Sequence, residues 1–266
     1  MKKYLPYANY LAVAAGIAGA LLRWWTLSAG PDANGLYPAA HPGWIGYLLV
    51  MAAAAAVLFL MTRDCGKNGS WTANFPRFPA QDRPNDPRYY LDVSKFFSCG
   101  TGYALAGLGI LLSCKDLASS ADRLHTVVSW GGLLCGIVML FLCVQFCTGK
   151  TPTALLHLLP CLYFALQLFL AAKLGSTETQ LLLFLPQVLA LGCSALAGYE
   201  LAGFGLGIGN RRKSLFWSLS AAALCFAAVP GGNRFFVLLG LWHLMSHCRL
   251  TEPAAEESPA EAPDEE

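Results

Sequence analysis

Residues 126–147 read TVVSWGGLLCGIVMLFLCVQFC, a run of 22 residues that contains no Asp, Glu, Lys or Arg. A helix needs about 20 mainly apolar residues to cross the hydrocarbon core of a bilayer. This run therefore predicts a membrane-spanning helix, and the same pattern recurs along the chain.

The recurring apolar runs predict an all-α, polytopic membrane helix bundle of about eight transmembrane helices. The last two runs are short, and Pro230-Gly231-Gly232 separates them, so they form either two thin spans or a hairpin that enters and leaves on one side. We expect the first run to be a retained helix rather than a cleaved signal peptide, because it stays apolar beyond residue 20. The predicted spans are 7–27, 44–62, 96–114, 126–147, 153–173, 181–201, 214–230 and 235–249.

The composition excludes a soluble protein. Only 13% of the 266 residues are charged, whereas 56% are hydrophobic, and a soluble domain has about 25% charged residues. Most of the ten cysteines lie inside the apolar runs, and no Cys-x-x-Cys motif occurs. We therefore interpret the cysteines as small packing residues with free thiols.

The uneven distribution of Lys and Arg between alternate loops predicts the orientation. With the N-terminus inside and eight spans, thirteen basic residues lie on the inner side and five on the outer side, which accounts for all 18. The prediction is that both termini face the cytoplasm and that the protein lies in the cytoplasmic membrane of the cell.

Two segments outside the spans carry much of the remaining charge. The loop 63–95 holds six basic residues and four prolines, and we expect it to lie on the inner membrane surface against anionic lipid headgroups. The tail 251–266 holds seven acids and no Lys or Arg, a composition that predicts disorder. The domain prediction is a membrane bundle over 1–250 and a disordered acidic tail over 251–266.

The glycine-containing motifs do not predict a nucleotide site. Gly149-Lys150-Thr151 lacks the first glycine of a phosphate-binding loop, and the alternating glycines of 203–209 follow no strand. We therefore expect no nucleotide and no cofactor. Because the inner loops already account for the excess of basic residues, we also expect no nucleic-acid partner. The four glycines should weaken a helix, so we expect the sixth span to end near Leu201 in a loose turn, with a gating hinge as the alternative.

Glu200 is the only acid inside an apolar run, and a carboxylate in lipid is costly enough to mark a candidate functional site. The predicted orientation brings other polar side chains to the same inner half of the bundle. We expect the fifth, sixth and eighth spans to meet there, with Glu200 within reach of His157 or His243. The alternative is that Glu200 lies near the inner interface and pairs with Arg211 or Arg212. The candidate intramembrane polar cluster is Glu200, His157, His243, His247 and Gln145.

The two histidines of the last span are weak candidates for a metal site. His243 and His247 are four residues apart, so they share a helical face, and with a carboxylate they could ligate a transition metal or relay protons. The alternative is that each histidine only satisfies a local hydrogen bond. The sequence lacks His-Glu-x-x-His, so a zinc protease would have no general base.

The outer end of the first span carries Arg23, Trp24 and Trp25. Aromatic and basic side chains at this depth are typical of an interfacial anchor, which is our interpretation of all three. A pairing of Arg23 with Asp32 is the alternative.

These features favour a small-solute or ion permease, or a subunit of one, because polar groups and a Gly/Pro-interrupted end occur in one bundle. The first alternative is a membrane-embedded enzyme acting on a lipid or other apolar substrate. The second is a non-catalytic scaffold that binds another membrane protein or its own copies. Polar groups that converge on a water-accessible cavity would favour a permease or an enzyme, and polar groups scattered around the perimeter would favour a scaffold.

Overall fold

The computed structural model describes residues 2–31, 41–63, 65, 87–118, 123–148, 153–177, 181–231 and 234–246. Within these ranges the chain is all-helical. A 3-10 helix, Lys2–Tyr7, leads into α1 Ala8–Ser28, α2 Pro42–Thr62, α3 Pro87–Ala118, α4 Arg123–Cys147, α5 Ala154–Thr177, α6 Leu181–Gly205, α7 Arg211–Ala228 and α8 Phe235–Ser246.

The helices α1 to α6 are each long and apolar enough to cross a membrane. Their apolar windows overlap the first six predicted spans, which confirms the membrane helix bundle. The chain is therefore a multi-pass, all-α membrane protein. The nine cysteines within the described residues are all free thiols, as the sequence predicts.

The helices α7 and α8 are shorter, so the count of eight full spans stays a prediction. α7 has 18 residues, of which 12 are buried, and α8 has 12 residues. α7 packs against α1, α2, α6 and α8. Because these neighbours surround it, α7 needs few lipid-facing apolar side chains, which explains its content of Ser and Ala.

The helices α1 and α7 run side by side in the same direction and touch through small residues. A Cβ atom on Gly16 would lie 2.7 Å from Phe226 Cβ, and one on Gly19 would lie 2.9 Å from Ala227 Cβ. Both distances are too short for a real contact, so glycine permits this close approach of two helices. The buried face of α1 carries a stripe of small residues, and this stripe is thus a packing surface for α7. The stripe consists of Ala8, Ala12, Ala15, Gly16 and Gly19.

The helix α6 continues to Gly205, beyond the end that we expected near Leu201. It then closes in a Schellman motif, in which the N–H of Ile208 donates to the carbonyl of Gly203 over 3.0 Å. Gly207 takes the left-handed conformation that this motif requires, with φ of +76°. The glycines therefore form a defined turn at a helix end, and the expectation of an earlier helix end is wrong.

A second glycine fixes how α7 leaves this turn. Gly209 lies against Phe204 so closely that a Cβ atom would collide with the ring and the backbone. This contact folds the chain back on α6, and Asn210 then caps α7 by accepting a hydrogen bond from the N–H of Lys213 over 3.2 Å. As a result, the first turn of α7 lies beside Glu200.

The predicted surface loop 63–95 is helical at its end, because α3 begins at Pro87. Proline is well suited to the first turn of a helix, where its missing N–H costs no hydrogen bond. Residues 64 and 66–86 of this loop, together with His247 and the acidic tail 251–266, lie outside the described residues.

Candidate functional site

Tyr103 on α3 and His157 on α5 form a buried hydrogen bond between two helices. Tyr103 Oη lies 3.0 Å from His157 Nε2, and each residue is 1% exposed. His157 Nδ1 lies 3.5 Å from the carbonyl oxygen of Thr153, which only accepts hydrogen bonds, so Nδ1 carries the proton. His157 Nε2 therefore accepts the hydrogen bond that the Tyr103 hydroxyl donates.

Ser194 on α6 and His243 on α8 form a second buried pair, with 2.9 Å between Ser194 Oγ and His243 Nε2. The Ser194 hydroxyl also lies 2.7 Å from the carbonyl oxygen of Ala190, so its one proton has two acceptors in reach, this carbonyl and His243 Nε2. The hydrogen bond between Ser194 and His243 joins α6 to α8.

Trp242 on α8 packs between these two pairs. Its ring centroid lies 5.9 Å from that of Tyr103, 6.1 Å from that of Phe164 and 4.5 Å from that of His243. The fifth, sixth and eighth helices therefore meet through side chains, as the sequence analysis expected. We call this set of residues the polar core: Tyr103, His157, Ser194, Trp242 and His243.

Glu200 lies apart from the polar core, although it is on the same helix as Ser194. Six residues along an α-helix correspond to about 9 Å of rise and about 120° of separation around the axis. The Glu200 carboxylate accepts a hydrogen bond from the backbone N–H of Asn210 and is attracted by Lys213. Glu200 thus contacts the start of α7, the hydrogen bonds given above for His157 and His243 are to neutral side chains, and the pairing of Glu200 with a histidine stays a prediction.

Glu200 lines a groove between α2 and α6, with α7 as its floor. The part of the groove beside Glu200 encloses about 740 Å³, which is within the range of about 300–1,000 Å³ for small-molecule sites. We call this part the charged end of the lateral groove. It is lined by Phe59, Arg63, Cys65, Leu196, Tyr199, Glu200, Asn210, Arg212, Lys213, Phe216 and Trp217.

A smaller apolar cavity follows between the same three helices and encloses about 270 Å³. Leu58 in this cavity is the neighbour of Phe59 in the charged end, and Ser220 lies one turn after Trp217, so the two cavities adjoin. We call it the apolar end of the lateral groove. It is lined by Leu48, Met51, Ala52, Ala54, Ala55, Leu58, Leu189, Ser220, Ala223 and Leu224.

Aromatic contacts fix the guanidinium of Arg212 at the charged end. Its carbon Cζ lies 4.7 Å from the centroid of the Phe59 ring, a cation–π contact that joins α7 to α2. The Phe59 ring also meets the Phe216 ring edge to face, with 5.8 Å between the centroids. Arg212 is half-buried, so its charge is held in place where water is partly excluded.

The other members of the expected cluster lie elsewhere. The Oε1 atom of Gln145 accepts a hydrogen bond from the N–H of Thr153 over 3.4 Å, which ties the end of α4 to the start of α5. His247 lies outside the described residues, so its partnership with His243 stays a prediction. Among the residues that the structure describes, no three His, Cys, Asp or Glu side chains come together as a metal site would require.

Arg23 is not an exposed anchor. Its side chain is 3% exposed, and Nη1 donates a hydrogen bond to the carbonyl oxygen of Ala228 over 2.9 Å. Ala228 is the last residue of α7, where unpaired carbonyls and the helix dipole favour a cation. Trp24 and Trp25 are exposed, and their role as interfacial anchors stays a prediction.

The groove was not predicted from the sequence, because Arg63, Arg212 and Lys213 were counted among the inner basic residues and their convergence on one site was not expected. A local signal was present: three basic residues directly follow the glycine turn, and an aromatic pair, Phe216-Trp217, follows them. The pairing of this segment with Arg63 depends on how α2 packs, which the apolar runs do not encode.

No protein-family model matches the chain, and neither a curated protein nor a solved structure matches it.

Proposed function

We propose that the protein is a permease that carries an amphiphilic anion through the lateral groove between α2 and α6. The observation that carries this proposal is the combination of a cationic end and an apolar end in one groove. Such a groove is complementary to a molecule with an anionic group at one end and a hydrocarbon chain at the other.

The extent of the groove supports transport over simple attachment. Along α2 the groove is lined from Leu48 to Arg63, which corresponds to about 22 Å at 1.5 Å per residue. The hydrocarbon core of a bilayer is about 30 Å thick. Measured from Arg63, the groove therefore leads an amphiphile past the middle of the hydrocarbon core.

The position of the basic residues also supports an anionic substrate. Arg212 and Lys213 lie in the first turn of α7, where the positive end of the helix dipole makes cations unfavourable by about 0.3–1 kcal/mol each. An anion bound beside them would offset this cost. The proposed location is the cytoplasmic membrane, with the charged end towards the cytoplasm, in line with the distribution of Lys and Arg.

The polar core supports a permease more than an enzyme. A hydrolytic enzyme needs a nucleophile and a base that its substrate can reach, whereas Ser194 and His243 are both fully buried. The polar core then serves to join α3 to α5 and α6 to α8.

A substitution in the apolar end tests the proposal. Ala55 lines the groove and Ala56 does not, so Ala55→Trp should fill the groove while Ala56→Trp projects away from it. In liposomes that contain the purified protein, we expect Ala55→Trp to reduce the translocation of a fluorescently labelled alkyl phosphate to the rate of protein-free liposomes. Ala56→Trp should translocate it like the wild type.

Two outcomes would count against the permease. One is equal translocation by Ala55→Trp and the wild type, and the other is a wild-type rate no higher than that of protein-free liposomes. Circular dichroism of the two tryptophan variants provides the control for folding.

A further inference from the structure

We infer that the occupant of the lateral groove is an anionic phospholipid of the surrounding leaflet, with its phosphate at Arg63 and Arg212 and an acyl chain along the apolar end. This inference rests on the proposed function, because it names the substrate class of the same groove.

The described residues that line the charged end carry an excess of positive charge. They include three cations, Arg63, Arg212 and Lys213, and one acid, Glu200. Lys213 is the cation that attracts the Glu200 carboxylate. The two guanidinium groups are suited to a phosphate, since a planar fork of N–H donors matches two phosphate oxygens.

The cation–π contact of Arg212 favours the binding of an anion at this position. Arg212 Cζ lies over the Phe59 ring, 4.7 Å from its centroid, and this contact limits the freedom of the side chain. A guanidinium held in this way loses less conformational entropy when it binds an anion than a mobile side chain does. The groove thus has a preorganised phosphate-binding group beside an apolar channel.

The length of the groove matches one leaflet. From Phe59, which packs on Arg212, to Leu48 the groove follows α2 for about 16 Å at 1.5 Å per residue. Half of the hydrocarbon core is about 15 Å thick. An acyl chain whose headgroup lies at Arg212 would therefore end near the middle of the membrane, as the chains of neighbouring lipids do.

The lining of the apolar end favours an alkyl chain over an aromatic or polar solute. Nine of its ten lining residues are Leu, Met or Ala, and the tenth is Ser220. Flexible aliphatic side chains and alanines form a narrow channel without hydrogen-bonding demands, which suits a chain of methylene groups.

The edges of the groove face the lipid side of the bundle. Tyr199 on α6 and Phe59 on α2 are large and exposed, and Leu196 is exposed between them. Exposed apolar side chains on a membrane helix are the ones that contact lipid. A molecule that is already in the leaflet can therefore enter sideways, whereas a soluble anion would have to enter from the water and leave the apolar end empty.

Native mass spectrometry of the full chain tests this occupant. The purified protein, stripped of lipid in detergent, is titrated with phosphatidylglycerol, with phosphatidylcholine and with inorganic phosphate. We expect preferential retention of phosphatidylglycerol and no retention of inorganic phosphate. The double variant Arg63→Gln/Arg212→Gln should bind phosphatidylglycerol about tenfold more weakly, since two charge-assisted hydrogen-bonding groups are lost.

The matched control is Lys173→Gln, which removes an exposed cation on α5, away from the groove. It should bind phosphatidylglycerol like the wild type. Equal affinities of the double variant and the wild type would overturn the inference, and so would tighter binding of phosphatidylcholine than of phosphatidylglycerol. Retention of inorganic phosphate at the same concentration would overturn it as well, by making the ligand a soluble anion.

The same variants separate this inference from the permease. If phosphatidylglycerol binds at the two arginines but no labelled amphiphile is translocated, the groove is a lipid-binding site and the permease is wrong. If translocation depends on Ala55 but not on the charge of the headgroup or on the two arginines, the permease remains and the anionic lipid is wrong.

Discussion

The polar core and the lateral groove are built on the same helix, α6, but they use polar side chains in opposite ways. In the polar core, Ser194 and His243 are fully buried and hydrogen-bonded to each other. In the groove, Glu200 and Arg212 are half-buried and line a cavity. Polar groups in a membrane bundle are thus either paired and dry, where they join helices, or charged and accessible, where they can bind a ligand.

This contrast leads to different expectations for substitutions in the two regions. Changes in the polar core should alter the free energy of unfolding and leave ligand binding intact. Changes in the groove should alter ligand binding and leave the free energy of unfolding nearly intact.

The largest loss of stability is expected for Trp242→Ala. Trp242 contacts Tyr103, Phe164 and His243, and the removal of such a buried indole leaves a cavity that costs about 3–5 kcal/mol. Chemical denaturation in detergent micelles, followed by circular dichroism, measures the change. Trp130→Ala is the control, because Trp130 is 68% exposed and should cost no more than about 0.5 kcal/mol. Equal effects of the two variants would contradict the assignment of Trp242 to the core.

A smaller loss is expected for Tyr103→Phe, which removes only the hydroxyl that bonds to His157. Hydrogen bonds between membrane helices contribute about 1 kcal/mol or less, and the imidazole then keeps an unsatisfied nitrogen. We expect the free energy of unfolding to fall by about 1 kcal/mol. Tyr199→Phe, at an exposed position of the groove, should have no measurable effect on it.

A double-mutant cycle with His157→Phe checks the cause of that loss. If the Tyr103–His157 bond is responsible, the two substitutions together should cost less than the sum of the single costs. Additive costs would mean that each side chain contributes through packing alone.

The apolar runs were sufficient to predict the helices, but not how the helices pack. Lipid surrounds the bundle, so the inner and outer faces of most spans are both apolar, and the sequence shows little difference between them. The position of Arg23 illustrates this limit. Its partner, Ala228, follows 205 residues later, and only the stripe of small residues in α1 indicated which face of that helix is buried.

Glu200 illustrates a second limit. Its position inside an apolar run marked Glu200 as the unusual acid, and the histidines were expected as its partners because all these residues were expected at a similar depth. Depth alone does not decide which side of a helix a residue occupies. The glycine turn decided the outcome, because Gly207 and Gly209 fold the start of α7 back beside Glu200.

The smallest effect on stability, and the sharpest test of the groove, is expected for Glu200→Gln. The carboxylate is half-buried and faces Lys213, so its neutralisation should change the free energy of unfolding by no more than about 0.5 kcal/mol. The same substitution raises the positive charge of the groove by one. The lost negative charge lies several ångströms from the bound phosphate and is partly screened by water. Its removal should therefore strengthen the binding of phosphatidylglycerol about threefold. Native mass spectrometry at low and high salt measures the change, which should shrink as salt increases.

Glu200→Asp keeps the charge and should bind like the wild type. If Glu200→Gln instead weakens binding, the carboxylate contacts the ligand directly, and its role as a counter-charge to Lys213 is wrong.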